Sequence, residues 1–457
     1  MTSSCTVIGG GYAGIAAAIA LADSSVRVTL LESRPHWGGR ATSWPDPRLG
    51  DPVDNGQHVL LGCYGATRAL LSRLGTAHLV RFDPGLDLVF REWGGRASRL
   101  RAPGELGRAG LALGLALWTR VPIAERVALA RALRDGAAPA PGASVTAWLD
   151  ALGQGATARR FFWHPITEAS INETPDRAEA ALLFAVVGEA FRGAPDAPAL
   201  GLARAGLAEL VAPIEGVLER AGGSARLQAQ VRAVEPQAGS GATGFRAVLE
   251  SGETLESDAM VLAVPALEAL EITGDAFPAL VPSLDPAAAL ETSPIVTATL
   301  WFDRPVMPAP VVGLVSPPHG GGPGFAWAFD RSALLGVREG RHAVVLVASA
   351  ARPLVEMRSQ EIADRARAAL DAYGLTREVP VAFRVVKEPR ATPSFRAHKG
   401  SSSAATRPGA ETRVPGLALA GDWTATGLPA TIEGAVRSGQ AAARVVLEHA
   451  RLHVQSV

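Results

Sequence analysis

Cysteine is scarce: Cys5 and Cys63 are the only two in 457 residues. They lie far apart, each in an apolar context, which excludes a disulfide scaffold and leads us to expect a reducing compartment, the cytoplasm. Lysine is as rare, with only Lys387 and Lys399 among 44 basic residues, a bias that reads as codon usage. Charged residues make up 19% and formal net charge is zero, so there is no electrostatic case for nucleic acid. A hydrophobic fraction of 48% excludes a disordered chain. No apolar run reaches the roughly 18 residues that a bilayer span needs. The best candidate, Gly110 to Trp118, is half that length and is flanked by Arg108, Arg120, Glu125 and Arg126. It reads as an ordinary buried helix or as an interfacial or tunnel-lining one. Met1 to Ser4 is polar and leads directly into a strand, so no secretory signal is expected. CxxC, HExxH, P-loop and GxSxG patterns are all missing, which leaves the nucleophile classes unsupported. His449 and His453 have i, i+4 spacing but no third ligand, and no metal site is expected.

At this length two domains, interleaved or in tandem, are expected, with room to bury a large cofactor. Residues 5 to 9 read as an apolar strand, Gly9 to Gly14 as a turn, Ile15 to Ala22 as an alanine-rich helix and Val26 to Glu32 as a second strand. In this βαβ unit Gly9 permits the tight turn, Gly11 lets the backbone approach a pyrophosphate, and Gly14 lets helix pack on strand. Tyr12 and Ala13 complete the turn, whose helix N-terminus favours negative charge. Glu32 ends the second strand at the right distance to accept from ribose hydroxyls, and an acid there disfavours a 2′-phosphate. Ser33 beside it and Val231 in a later strand complete this set of expected contacts.

Arg34-Pro-His-Trp-Gly38-Gly39-Arg40 follows directly. Gly39 allows another close backbone approach and Arg40 offers a fork of donors to a phosphate. Contacts that continue beyond the first ribose point to FAD rather than NAD. In Asp54-Asn-Gly-Gln-His58, Gly56 and Gln57 are expected against the flavin ring. His58, the one side chain here that titrates near neutrality, is a candidate general acid, with a satisfied structural histidine as the alternative. Near the C-terminus, Gly421-Asp422 ends a strand and leads to a helix over 431 to 447. Asp422 is expected on the ribityl chain or the pyrophosphate. The helix start at Ala430, Thr431 and Ile432 is expected to face the flavin edge that becomes negative on reduction.

The expected fold class is α/β. A Rossmann-like FAD-binding domain over 1–75, 205–270 and 388–457 interleaves with an α+β substrate domain over 76–204 and 271–387. The region from about 100 to 200 reads as a helical insertion. Ala225 to Val234, Phe245 to Glu250 and Leu255 to Val264 read as a hairpin around Gly239, Gly241 and Gly244 that returns the chain to the nucleotide domain. Segments 295–302, 311–315, 324–329, 342–349 and 380–387 read as a second, mixed sheet, with Pro317 to Gly324 a loop and Pro393 to Pro415 irregular.

Several segments are closely worded: Asp54-Asn-Gly-Gln-His-Val, Phe162-Trp-His-Pro-Ile-Thr-Glu-Ala-Ser-Ile-Asn, Trp327-Ala-Phe-Asp-Arg331, Arg390-Ala-Thr-Pro and the run from Ala420 to Gly439. Together they resemble the hydroxysqualene dehydroxylase family of the amine oxidase and carotenoid desaturase flavoproteins, nearly end to end. The resemblance implies FAD-dependent reductive dehydroxylation of hydroxysqualene to squalene in hopanoid biosynthesis. It also implies a hydrophobic C30 isoprenoid substrate and peripheral membrane association through the Gly110 to Trp118 region, on the inner face of the cytoplasmic membrane. The motifs name no redox partner. Other readings are a carotenoid-type desaturase or isomerase, an amine or protoporphyrinogen oxidase, and a non-catalytic FAD-bound scaffold. Amine oxidases of this superfamily commonly hold a lysine near the flavin, and the two lysines here both lie near the C-terminal strands.

Overall fold

The structure is a computed structural model that describes residues 3–46, 52–237, 244–317, 322, 324–398 and 407–455, the side chains of 451–455 excepted. Gly239 and Gly241, most of the Pro317 to Gly324 loop, Lys399 to Thr406 and the His453 side chain lie outside the described residues.

Strand β1 (Ser4–Ile8), helix α1 (Tyr12–Ala22) and strand β2 (Arg27–Leu31) form the βαβ unit. β1 sits centrally in a five-stranded parallel sheet ordered 224–226, β2, β1, 259–262, 417–419. Buried on both faces, these strands read as continuous apolar runs. Helix α1 is apolar all round and almost wholly buried. Its alanines let the C-terminal helix Ile432–Gln455 cross it closely, and a Cβ on Gly439 would fall 2.0 Å from the Ala13 carbonyl oxygen. The two motif-bearing ends of the chain are thus packed against each other.

The expected strand Ala225 to Val234 is two strands in two sheets. Ser224–Arg226 pairs parallel with β2, whereas Val231–Pro236 pairs antiparallel with Phe245–Leu249 in a three-stranded meander completed by Thr254–Ser257. Gln228, at φ 54°, breaks the run by turning the chain into the left-handed region.

The second sheet has seven strands, ordered 382–393, 292–302, 342–348, 327–330, 311–315, 85–92, 97–103. It is mixed, since 311–315 runs parallel to 85–92 and the other pairs are antiparallel. The hairpin Gly85–Glu92 and Ala97–Pro103 precedes the helices, so the region read as helical from about 100 opens on a strand. The strand read as 380–387 runs to Pro393, carried across a register shift between Ser293 and Ile295, and residue 388 therefore falls inside it. Helices Gly107–Leu117, Ile123–Asp135, His164–Ile171 and Ala180–Arg192 build an aromatic-rich core with this hairpin, around Trp118, Trp148, Phe161 and Trp163.

Candidate functional site

A cavity of about 1280 Å³ runs between the two sheets and under the helical insertion. Gly9, Gly11, Tyr12, Ala13, Glu32, Ser33, Gly39, Arg40, Gly56, Gln57, His58, Val231, Gly421, Asp422, Ala430, Thr431 and Ile432 all line it. Gly14 does not, for the reason its spacing suggests: a Cβ there would sit 1.9 Å from the Gly9 carbonyl oxygen, so its hydrogen is a helix-packing contact. Gly9, at φ 110°, has the Ala263 carbonyl oxygen 2.4 Å from where a Cβ would be. Gly11 meets only Gly39 Cα, at 3.9 Å, leaving a cradle open to the cavity that any side chain would begin to fill. Gly11 also bridges to Gly38, which joins the first turn to the second.

Glu32 is buried, and its carboxylate accepts from the Gly10 N–H at 2.7 Å and the Arg34 N–H at 2.8 Å. The first turn is thereby tied to the end of β2. Arg40, read as a phosphate donor, is turned mainly to the protein. It donates to Asp422 at 2.6 Å and to the Ala391 carbonyl at 2.7 Å. Asp422 holds the guanidinium above its ordinary pKa. This pair closes the cavity wall where the N-terminal and C-terminal motifs meet. Thr431 caps the C-terminal helix by accepting from the Gly434 N–H at 3.1 Å, which places the helix N-terminus in the cavity wall. The next residue but one, Glu433, is fully buried and accepts from the Ala66 and Thr67 N–H groups at 3.2 and 2.9 Å. It caps the helix Gly65–Leu74, whose own preceding residue Tyr64 supplies no side-chain cap.

His58 Nδ1 lies 3.0 Å from the Gly56 carbonyl. A carbonyl only accepts, which assigns the hydrogen to Nδ1 and leaves Nε2 as an acceptor. Burial lowers the imidazole pKa, and Arg40 lowers it further, against the Gly56 hydrogen bond. A proton on His58 is therefore a low-pH species. The Tyr12 hydroxyl and Gln57 Oε1, both on cavity-wall residues, are buried and have no hydrogen-bond partner among the described residues. An open glycine cradle, unengaged polar atoms and a helix N-terminus in one wall fit a long cofactor with a phosphate segment and a polar ring edge.

Beyond these residues the cavity continues into an arm that motif reading did not reach. One wall is the face of the seven-stranded sheet, with Leu86, Leu88, Phe90, Val311, Trp327 and Phe329. The other is Phe161, Phe162 and Ile166, then Val186 and Phe191 of helix Ala180–Arg192. A π-helical turn at Arg159–Trp163 sets Phe161 and Phe162 at the arm. Phe90 centres this group, 6.0 Å from the Phe161 ring and 6.3 Å from Trp327. The quoted Phe162 and Trp327 segments were the available signal, although neither spacing carries a motif with a mechanism. Lys387 does not line the cavity. It sits opposite Val296 in the sheet and donates to the Met357 carbonyl. Both cysteines are unpaired, and burial pushes the Cys63 thiol up to about 12. Among the described residues no group of three His, Cys, Asp or Glu side chains could hold a metal.

Comparison with known proteins shows the chain's family. The family described as Flavin containing amine oxidoreductase matches residues 12–447. A hydroxysqualene dehydroxylase of Sinorhizobium fredii is 30% identical over 98% of this chain and 99% of its own length. One from Rhodopseudomonas palustris is 31% identical over 99% of this chain and 100% of its own. The chain belongs to the hydroxysqualene dehydroxylase family of flavin containing amine oxidoreductases. It is an FAD-dependent oxidoreductase. Among solved structures, an oxidoreductase from Methanosarcina mazei superposes with a TM-score of 0.73 at 16% identity, covering 97% of this chain and 100% of that one. That likeness bears on the fold alone.

Proposed function

We propose that the chain catalyses the reductive dehydroxylation of hydroxysqualene to squalene. The observation that supports this most is end-to-end similarity to hydroxysqualene dehydroxylases in a chain whose cofactor cavity opens into an apolar, aromatic-walled arm. Bound FAD, in its reduced form, would supply a hydride, one proton with two electrons. The allylic C–O bond breaks, the oxygen leaves as water after taking up one proton, and a C–H bond replaces it.

The protein's part is to bind, to orient and to keep water out. Gly11 and Gly39 would hold the pyrophosphate by backbone approach, Glu32 and Ser33 the ribose, and Val231 the adenine end. Gly56, Gln57 and the helix start at Ala430 to Ile432 would hold the flavin ring, with the helix dipole favouring its reduced, negative form. The apolar arm would hold the polyprenyl chain and shield a developing allylic cation from water, with aromatic faces at hand to stabilise it. His58, in the wall between polar and apolar parts, is the proposed proton carrier to the leaving hydroxyl. An amine oxidase is less well supported, because Lys387 faces away from the cavity. A C30 hydrocarbon partitions into membranes, so we also propose that the chain meets its substrate at a membrane surface.

The test is direct. The purified flavoprotein is photoreduced without oxygen, hydroxysqualene is added, and flavin reoxidation is followed together with squalene by mass spectrometry. Stoichiometric squalene is expected. Failure to reoxidise, or reoxidation without squalene, would overturn the reading.

A further inference from the structure

The segment Gly110 to Trp118 points inward over only part of its surface. Gly110 and Gly114 lie flat on strand Ala97–Pro103, where a Cβ would come 2.0 Å from the Pro103 oxygen and 2.5 Å from the Arg101 oxygen. Leu115 and Trp118 are buried in the core that also contains the cavity-wall residues Phe90 and Phe161. The exposed side carries Leu113 and Leu117, one turn apart, with Leu106 just before the helix, and Leu117 is 68% exposed. The neighbouring helix adds Ile123, 71% exposed, and Val127 one turn on. Arg126 donates to the Ala116 carbonyl, which stitches the two outward faces together. These five are among eleven exposed large apolar side chains of the described residues, yet they fall within 22 positions. Such clustering makes a patch rather than scatter.

The rim of the patch is positive. Among the described residues Arg108, Arg126 and Arg131 form no ion pair, whereas the neighbouring carboxylates are mostly engaged. Glu125 accepts from the Ala158 N–H, Asp135 pairs with Arg134, and Glu92 with Arg120. Glu105 and Glu125 have no ion pair among the described residues, so three unpaired arginines stand against two unpaired carboxylates. No helix among the described residues is long and apolar enough to cross a membrane, so the patch suits the surface of a bilayer and not its interior.

We infer that the face formed by Leu106, Leu113, Leu117, Ile123 and Val127, with Arg108 and Arg131 at its rim, seats the chain on an anionic lipid bilayer next to the apolar arm of the cavity. Attachment itself is independent of the reaction; only loading of substrate from the bilayer rests on the hydroxysqualene reading. The arginines supply headgroup attraction and the five apolar side chains supply burial at the acyl boundary.

The FAD-loaded chain is sedimented with vesicles of phosphatidylcholine alone and of phosphatidylcholine with phosphatidylglycerol. Binding to the anionic vesicles is expected, weakened by salt, and in Leu117→Glu/Ile123→Glu it falls at least roughly tenfold. That variant keeps its FAD content and its turnover of detergent-solubilised hydroxysqualene, but loses turnover of substrate presented in vesicles. Arg108→Gln/Arg131→Gln binds less to anionic vesicles only. Wild-type chain left in the supernatant with both vesicles, or undiminished binding of Leu117→Glu/Ile123→Glu, would overturn the inference. So would a concentration-dependent dimer that the same variant abolishes without any vesicle binding, since the face would then serve self-association. Vesicle binding that persists when no hydroxysqualene is turned over supports the surface and counts against the reaction.

Discussion

Gly11 and Gly14 belong to one motif yet do different physical work, and substitution separates them. Gly14→Ala drives a methyl into the Gly9 carbonyl, so a loss of roughly 2–4 kcal/mol in unfolding free energy is expected from overpacking. Gly11→Val meets almost nothing in the protein. It should leave the melting curve of the cofactor-free chain nearly unchanged while abolishing flavin absorbance in the purified protein. His58 gives a pH test. Because its pKa is lowered in the folded chain, a proton-donating role would make turnover rise as pH falls below neutrality. His58→Ala should remove that rise; an unchanged profile and rate would end the assignment. Glu168 titrates in the opposite sense. Its carboxyl has no partner among the described residues, and burial pushes its pKa from 4.5 up to about 7. The folded chain thus holds a proton that the unfolded chain has lost, and stability falls as pH rises from about 4.5 to about 7. Glu168→Gln should flatten that fall, gaining on the order of 3 kcal/mol over wild type at pH 8 and little at pH 4 in denaturant titrations.

Among the elements, those with a strong period and a recognised turn were legible: β1, α1, β2, the strand at 311–315 and the C-terminal helix. The ones that escaped were decided by distant partners. Nothing local marks Gln228 as the point where one apolar run enters two sheets. The hairpin at 85–103 is a strand pair because Val312 to Val315 lies beside it, in parallel register with Val89 to Glu92. Polar anchoring was equally hidden. Asp54 stands in a quoted motif, and Arg331 ends another. They meet as a buried ion pair at 2.8 Å that fixes the strand leading into Gly56, Gln57 and His58, with Arg331 also donating to the Ala203 and Ala205 carbonyls. Burial pushes Asp54 up to about 6 despite the attraction of Arg331. Arg331→Met leaves that carboxylate without a counter-charge, held only by the Leu207 N–H among the described residues, and is expected to cost about 3–5 kcal/mol at pH 8, less at pH 5 where Asp54 is protonated. Adding Asp54→Asn should recover most of the loss; chemical denaturation of the three variants at both pH values checks it.

For the molecule as a whole, the cavity wall is shared by the five-stranded sheet, the seven-stranded sheet and the helical insertion. Cofactor and fold should therefore be strongly linked: each hundredfold excess of FAD over its dissociation constant adds about 2.7 kcal/mol. Stripping the flavin is expected to lower the melting temperature, and graded addition of FAD to raise it with the logarithm of concentration; a melting temperature indifferent to FAD would contradict the shared wall. The five-stranded sheet has a second consequence, which concerns time. Its edge strand Leu417–Leu419 and the helix that packs on α1 are drawn from the last stretch of the chain. As the polypeptide emerges from the ribosome, the N-terminal glycine turn exists long before the Gly421-Asp422 turn that lines the same cavity. The half-built nucleotide sheet therefore waits with strand Ala259–Leu262 at its edge until Leu417–Leu419 has been made, and the two glycine-bearing turns come together only after that.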